Sequence, residues 1–112
     1  AWWVGHGGDV ALVRRPPKGL LGGMLALPSS RWAVGAPTEL PFEGAWRIAP
    51  VPVRHGFTHF ELELRVALVE VDAPPIAIGG LECVWTRRDS LARAGLPTLF
   101  ARAAALALET LV

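Results

Sequence analysis

The sequence has little cysteine, little net charge and no long uninterrupted hydrophobic run. Its single cysteine, Cys83, excludes an internal disulfide, and the presence of only three histidines argues against a structural zinc or iron–sulfur site. Although 52% of the residues are hydrophobic, charged residues interrupt every apolar segment well before the roughly 18 residues that a membrane span needs. We therefore expect a soluble chain with no membrane partner, in a reducing, cytoplasmic setting.

No targeting pattern is visible either, because no basic segment leads into an apolar stretch followed by a small-residue cleavage site. The 112 residues fit one domain, which is long enough to bury a real but modest core. Since the sequence also lacks a start methionine, we expect residues 1–112 to be a single domain excised from a longer protein.

The net charge is only +1, but it is unevenly distributed. Residues 1–59 carry six arginines and lysines against three carboxylates, whereas residues 60–112 carry five arginines against seven carboxylates. All three histidines also lie in the first part. A mildly basic face can form there, although an ordinary solvated surface explains the same counts.

The longest alternating apolar pattern runs from Phe60 to Leu68 and predicts one strand with a buried face. The stretch that leads into it, Val53-Arg54-His55-Gly56-Phe57-Thr58-His59-Phe60, is predicted to be a polar loop. It offers a hydroxyl, two imidazoles and a guanidinium beside Gly56, where the backbone can approach a ligand closely. Such a cluster suits a planar polar ligand, although histidines near a strand end are more often surface or core residues.

The first half of the chain predicts short strands and loops. Trp2–Val4 and Val10–Val13 flank a glycine turn and predict an opening hairpin. The prolines of the basic loop Arg14–Lys18 end its second strand. Gly19–Pro28 predicts a turn and a short buried strand, because it lacks the Lys-Ser/Thr pair of a phosphate-binding loop.

Ser29–Pro52 predicts mostly loop, because its prolines exclude a helix longer than about two turns. The pattern allows one short turn near Glu39–Gly44. Trp32, Phe42 and Trp46 are expected to anchor this loop on the core, although Trp32 can alternatively stack on a base.

The C-terminal third predicts a turn at Asp72–Pro75, a strand at Leu81–Trp85 and two helices. Thr86 or Asp89 can cap the first helix, which ends near Gly95, and the second follows Pro97. A broad apolar stripe on the second helix predicts that it packs on the sheet, with Arg102 and Glu109 on the opposite side. The sequence thus predicts a series of short strands followed by two C-terminal helices.

Four stretches together resemble the C-terminal, Nudix-like domain of the MutY-type adenine DNA glycosylases, in the family's order. They are Arg15-Pro16-Pro17-Lys18-Gly19-Leu20-Leu21-Gly22-Gly23-Met24 with Leu27-Pro28, His55-Gly56-Phe57-Thr58-His59-Phe60, Trp85 after a strand, and Leu96-Pro97-Thr98-Leu99-Phe100. The chain departs from many relatives at Leu25-Ala26-Leu27, where they carry tryptophan, glutamate and phenylalanine.

The resemblance implies a Nudix-like α/β fold, with a mixed, mostly antiparallel sheet flanked by C-terminal helices and with the Nudix helix shortened or absent. It also implies recognition of 8-oxoguanine opposite adenine in duplex DNA, as part of base-excision repair, at a cytoplasmic location on the bacterial nucleoid. Adenine excision and an iron–sulfur cluster would belong to an N-terminal catalytic domain of the same chain. No catalytic residue, metal or cofactor is therefore expected in these residues.

The resemblance also assigns candidate residues for DNA binding. Thr58 occupies the position of the family's serine or threonine that contacts the damaged base, and Phe57 and His59 flank it. Further candidates are predicted to contact phosphates on charge alone. These are Arg54, His55, Arg15 and Lys18.

Two other functions compete with DNA recognition. An active Nudix pyrophosphohydrolase would need a helix that presents clustered glutamates to a divalent metal, but the carboxylates here are dispersed. Glu61 and Glu63 alternate along the predicted strand, where a solvated face explains them most simply. The third possibility is a non-catalytic protein-interaction domain that uses its strand edges or the Trp2-Trp3 pair. Cys83, among apolar neighbours, is expected to be a buried and inert thiol.

Overall fold

The computed structural model describes residues 1–34 and 39–111. Pro37, one of the prolines on which the loop prediction rests, lies outside these residues. The described strands are β1 (Trp2–His6), β2 (Asp9–Arg14), β3 (Leu25–Ala26), β4 (Arg47–Ile48), β5 (Val53–Gly56), β6 (Glu61–Leu64), β7 (Ala67–Glu70), β8 (Ala77–Ile78) and β9 (Leu81–Arg87). A 3₁₀ helix, Arg88–Arg93, and the α-helix α1, Thr98–Leu111, follow them.

The main sheet is mixed and mostly antiparallel, as predicted. Its order is β4-β7-β1-β2-β9-β8, with β3 pairing on β2. β1 and β2 form the predicted opening hairpin, and the parallel pair is β1 with β7. β1 therefore lies between two partners in the sheet. Both of its faces are buried, Trp3 in one core cluster and Trp2 and Val4 in another.

The alternating run Phe60–Leu68 is not one strand, and this prediction was wrong. β6 ends at Leu64 and pairs with β5 in a separate two-stranded sheet, whereas β7 begins at Ala67 and pairs with β1. The inward face nevertheless continues across the break, because Leu64, Val66 and Leu68 are all buried. A period of two therefore identified Leu64, Val66 and Leu68 as core residues, whereas Phe60, predicted on the same face, is 44% exposed. The period could not reveal that the strand changes partners.

Two clusters of buried side chains lie on the two faces of the main sheet. Helix α1 covers the first, which includes Trp3, Leu12 and Phe100. The second surrounds Trp2 and Val4 and is covered by aromatic side chains from the loop before β4 and from strand β9. These are Phe42, Trp46 and Trp85.

Ser29–Pro52 contains the short strand β4 but no helix in its described part, so the loop prediction is largely confirmed. Its three aromatic residues anchor it as expected, since Trp32 packs on the first cluster and Phe42 and Trp46 pack on the second. The Trp46 indole N–H also donates to the Phe42 carbonyl at 2.9 Å. This loop therefore covers a sheet face that would otherwise expose aromatic core residues to water.

The C-terminal elements differ in detail from the prediction. The first is a 3₁₀ helix whose N-cap is Arg87, without a side-chain capping bond, so neither Thr86 nor Asp89 caps it. Asp89 instead forms an ion pair with Arg87 at 3.5 Å. Gly95 follows this helix with a φ of +77°, a conformation that favours glycine.

Helix α1 follows Pro97 and buries the predicted apolar stripe. Its buried side chains are Leu99, Phe100, Ala103, Ala104 and Ala107. Within the described ranges, no helix has the length and apolar character needed to cross a membrane.

Gly22→Ala is expected to destabilise the domain by about 1–3 kcal/mol, because the new methyl group would collide with the backbone carbonyl of Pro17. The surrounding loop is held by a bond from the Arg15 N–H to the Met24 carbonyl at 2.9 Å, so it cannot yield freely. Urea unfolding measures the loss. Gly56→Ala is the control, since its methyl group would meet no atom within 4 Å. Equal urea midpoints for Gly22→Ala and Gly56→Ala would contradict the expected collision with the Pro17 carbonyl.

Candidate functional site

The motif stretch forms a β-hairpin rather than a long polar loop, which corrects the prediction for its first half. Val53–Gly56 is strand β5, and it pairs with β6 from Val53↔Leu64 to Gly56↔Glu61. The Phe57 N–H donates to the Phe60 carbonyl at 2.7 Å and continues this ladder. Only Thr58 and His59 remain at the tip.

Both tip residues are exposed, so the Thr58 hydroxyl and the His59 imidazole face solvent. The strand pairing below them fixes where the tip begins, because residue 57 is already bonded to residue 60. A short tip on a paired stem loses less conformational freedom on binding than a long flexible loop does. The hairpin can therefore present a hydroxyl and an imidazole to a ligand at a defined place.

Phe57 points toward the domain and anchors the tip through aromatic contacts. Its ring stacks on Phe60 at 4.9 Å between centroids, and the His55 ring meets it edge-on at 4.9 Å. On the protein side it lies 6.4 Å from Trp32, which in turn stacks on Phe100 at 6.1 Å. A continuous series of aromatic contacts thus connects Phe57, at the neck of the hairpin just below the tip, to the core beneath helix α1.

Arg15 belongs to this series, because its guanidinium lies 4.4 Å from the centre of the Trp32 ring and 5.8 Å from that of Phe100. Its Nε–H donates to the Leu20 carbonyl at 3.1 Å. Burial lowers the pKa of Arg15 from its ordinary value, since the surrounding rings replace water. The structure thus gives Arg15 a packing role beneath the hairpin, whereas Lys18 lies exposed on the β2–β3 loop.

Arg54 lies on the hairpin stem, where it forms a cross-strand ion pair with Glu63 at 3.5 Å. The two side chains are 67% and 49% exposed, so this pair contributes little to stability and can exchange its carboxylate for a phosphate at low cost. His55 is half-buried and packs on Phe57. Of the seven predicted residues, the structure brings Arg54, His55, Phe57, Thr58 and His59 together on one hairpin.

The sequence did not predict that one further residue contacts this hairpin. Arg102 was placed on the solvent side of α1 by its helical position, but its Nη1 donates to the Arg54 carbonyl at 2.6 Å. Helical periodicity predicts the direction of each Cα–Cβ bond. The end of a long arginine side chain can nevertheless reach across to a neighbouring strand. No signal in the sequence indicated this contact.

A groove of about 840 Å³ runs beside the hairpin, between β6 and the segment Ser29–Val34. Its walls include Arg15, Trp32 and Phe60. The Ser29–Val34 side supplies two hydroxyls and the Arg31 guanidinium, and the β6 side supplies two carboxylates. The groove is therefore amphipathic and carries charges of both signs.

A metal centre has no ligand set in the described residues, where no three histidine, cysteine, aspartate or glutamate side chains come close enough to share an ion. Glu39 and Glu43 are exposed and lie on a loop rather than on a helix. The residues present thus do not fit a divalent metal held by clustered glutamates.

Cys83 is half-buried rather than fully buried, so that prediction was only partly right. Burial, reinforced by the neighbouring Glu82 carboxylate, raises the pKa of its thiol. A smaller fraction than in a free cysteine is then ionised at neutral pH, and only the thiolate attacks thiol reagents. We expect native labelling at neutral pH to be slower than that of free cysteine, and its rate to keep rising with pH after the rate for free cysteine has levelled off.

The matched variant for this prediction is Glu82→Gln, which should lower the pKa of Cys83 and speed labelling at neutral pH. Stopped-flow labelling across a pH series measures both proteins. A wild-type rate equal to that of free cysteine would contradict the raised pKa.

Fold and site together define an α/β domain that displays a short polar hairpin tip on an aromatic anchor. A family model described as NUDIX domain matches residues 1–106, and the chain belongs to that family. A search of curated protein sequences found no match.

Solved structures share the fold. The C-terminal domain of mouse MUTYH, crystallised in complex with human PCNA, has a TM-score of 0.74 and 19% sequence identity over 97% of this chain and 85% of that chain. The Nudix hydrolase RenU from M. smegmatis has a TM-score of 0.60 and 21% identity over 98% of this chain and 83% of that chain. At these identities the likeness establishes a Nudix-like fold.

Proposed function

We propose that this domain recognises 8-oxoguanine opposite adenine in duplex DNA and is the lesion-discriminating domain of a MutY-type adenine DNA glycosylase. The observation that carries the proposal is the β5–β6 hairpin, which displays Thr58 at an exposed two-residue tip anchored by Phe57. The fold shared with the MUTYH C-terminal domain supports the same assignment.

The chemistry of the lesion suits such a tip. Oxidation converts the N7 acceptor of guanine into an N–H donor and adds an oxygen at C8, so the two bases differ in hydrogen-bonding pattern along one edge. A hydroxyl can both accept and donate a hydrogen bond. The Thr58 hydroxyl can therefore pair with N7–H or with O8, and guanine offers neither of these partners.

The flanking cations suit the DNA backbone. Arg54 is exposed on the hairpin stem, and Lys18 is exposed on the β2–β3 loop. In this proposal they contact phosphates, His55 and His59 approach the backbone beside the lesion, and Arg15 supports the hairpin from below. Adenine excision and the iron–sulfur cluster belong to an N-terminal catalytic domain of the same chain, and the protein acts on cytoplasmic, nucleoid DNA.

The affinities of this domain for 8-oxoguanine·adenine and guanine·adenine duplexes of otherwise identical sequence, measured by titration, test the proposal. We expect tighter binding to the damaged duplex at every salt concentration, with parallel salt dependences, because the phosphate contacts are the same in both. Equal affinities for the two duplexes would overturn the proposal.

A Nudix hydrolase activity is the main alternative, because RenU is described as a Nudix hydrolase. We expect no turnover of nucleoside diphosphate derivatives with magnesium or manganese, since the described carboxylates form no metal-binding group. Phosphate release assays across a substrate panel provide the measurement. Metal-dependent turnover that disappears in Glu39→Gln or Glu43→Gln would establish hydrolysis instead.

A protein-interaction domain is the third candidate, and the MUTYH domain's complex with PCNA gives it a precedent. Calorimetric titration separates this function from DNA recognition. A domain that only binds proteins would release no heat with the 8-oxoguanine duplex.

A further inference from the structure

The β5–β6 hairpin forms a two-stranded sheet of its own. It pairs with no strand of the main sheet, and a two-stranded hairpin is only marginally stable by itself. Val53 and Leu64 are buried at its base, and Phe57 packs toward Trp32 at its neck. Any use of the exposed tip for recognition thus depends on what fixes the angle of the stem.

The backbone of β5 shows how the stem is fixed. Hydrogen-bonded and non-hydrogen-bonded pairs alternate along an antiparallel ladder. Because Phe57 is bonded to Phe60, the alternation makes Arg54↔Glu63 a non-bonded pair. The Arg54 carbonyl then points away from β6, to the outer edge of β5, and there it accepts the 2.6 Å bond from Arg102 Nη1.

Helix α1 therefore holds the hairpin at two separate points. Arg102 binds the stem at Arg54, and Phe100, two residues earlier, holds the neck through Trp32 and Phe57. The helix itself is held rigidly, because Phe100, Ala103 and Ala104 are buried in the main core. Two attachments at different heights fix the tilt of a hairpin, which one attachment cannot do.

We infer that Arg102 is a positioning residue for lesion discrimination: its bond to the Arg54 carbonyl sets the tilt of the β5–β6 hairpin and so the place of Thr58. This inference rests on the proposed function. Arg102 acts through Thr58 rather than on the damaged base. Its charge-assisted bond replaces water on an edge carbonyl that would otherwise be solvated.

Amide hydrogen exchange of this domain tests the attachment without DNA. We expect Arg102→Met to speed exchange of the His55 and Phe57 amides, which face β6, on the order of threefold to tenfold. Amides between β2 and β9 should not change. Arg102→Lys keeps a cationic donor and should restore most of the protection. Arg93→Met is the matched control, since Arg93 is an exposed arginine on the 3₁₀ helix.

The complete protein tests the effect on recognition. Arg102→Met should lower the preference for 8-oxoguanine·adenine over guanine·adenine by about threefold to tenfold, with Arg102→Lys close to wild type. If Arg102 acts through Thr58, the double variant with Thr58→Ala should discriminate no worse than Thr58→Ala alone. Non-additivity is a result that a general loss of stability does not produce.

Three results would overturn the inference. One is unchanged exchange of the hairpin amides in Arg102→Met. A second is equal weakening of both duplexes with a shallower salt dependence, which would make Arg102 a phosphate contact. The third is full additivity with Thr58→Ala. Failure of the proposed function looks different, because then wild type itself shows no preference between the duplexes while the hairpin amides still respond to Arg102→Met.

Discussion

Thr58→Ala in the complete protein is expected to reduce the preference for 8-oxoguanine·adenine over guanine·adenine by between about fivefold and a hundredfold. A contact to N7–H or O8 exists only with the oxidised base, and its loss should cost on the order of 1 kcal/mol, or up to about 3 kcal/mol if a buried group is left unpaired. Each decade of preference corresponds to roughly 1.4 kcal/mol. Single-turnover excision rates and affinities on both duplexes measure the effect.

Two control variants show whether the hydroxyl is responsible. Thr58→Ser keeps the hydroxyl and should retain most of the discrimination. Lys18→Ala removes an exposed cation and should weaken both duplexes alike, with a reduced salt dependence. If Thr58→Ala affected both duplexes equally, or neither, the hairpin would not read the lesion through this hydroxyl, and His59 would become the better candidate.

Phe100→Ala is expected to cost about 3–5 kcal/mol of unfolding free energy, the range for removing a buried phenylalanine ring. Its side chain is 0% exposed and stacks on Trp32, so the cavity would open between helix α1 and the anchor of the hairpin. Single domains have only about 5–15 kcal/mol of stability in total. This variant should therefore unfold at a much lower urea concentration, and at a clearly lower temperature, than wild type.

Leu108→Ala on the same helix is the matched control, because Leu108 is 36% exposed and can lose its side chain without leaving a closed cavity. We expect a change of less than about 1 kcal/mol for this variant. Similar midpoints for Phe100→Ala and Leu108→Ala would show that Phe100 is not the centre of this part of the core.

The motif residues could be recognised without a structure because they are contiguous. His55, Phe57, Thr58 and His59 lie within five positions, so any fold of this stretch keeps them close. The sequence did not predict which of them would pack against the domain and which would be exposed to a ligand. The structure turns Phe57 toward Trp32 and leaves Thr58 exposed, and that choice depends on a tryptophan 25 residues earlier in the chain.

Features that depend on local interactions follow from the sequence alone. The opening hairpin, the loop character of Ser29–Pro52 and the buried stripe of α1 follow from glycine turns, prolines and helical periodicity, which act within a few residues. Three core residues followed too, because Leu64, Val66 and Leu68 keep the alternation that predicts burial.

The pairing of strands and the contacts between distant side chains depend on tertiary packing. Whether Phe60–Leu68 is one strand or two depends on where β5 and β1 lie, since β6 gains its hydrogen bonds from the first and β7 from the second. Arg15 over Trp32 and Arg102 on the Arg54 carbonyl are likewise contacts between distant parts of the chain. Periodicity states which face of an element is buried, but the choice of partner comes from packing the whole domain, where many weak contacts are satisfied together.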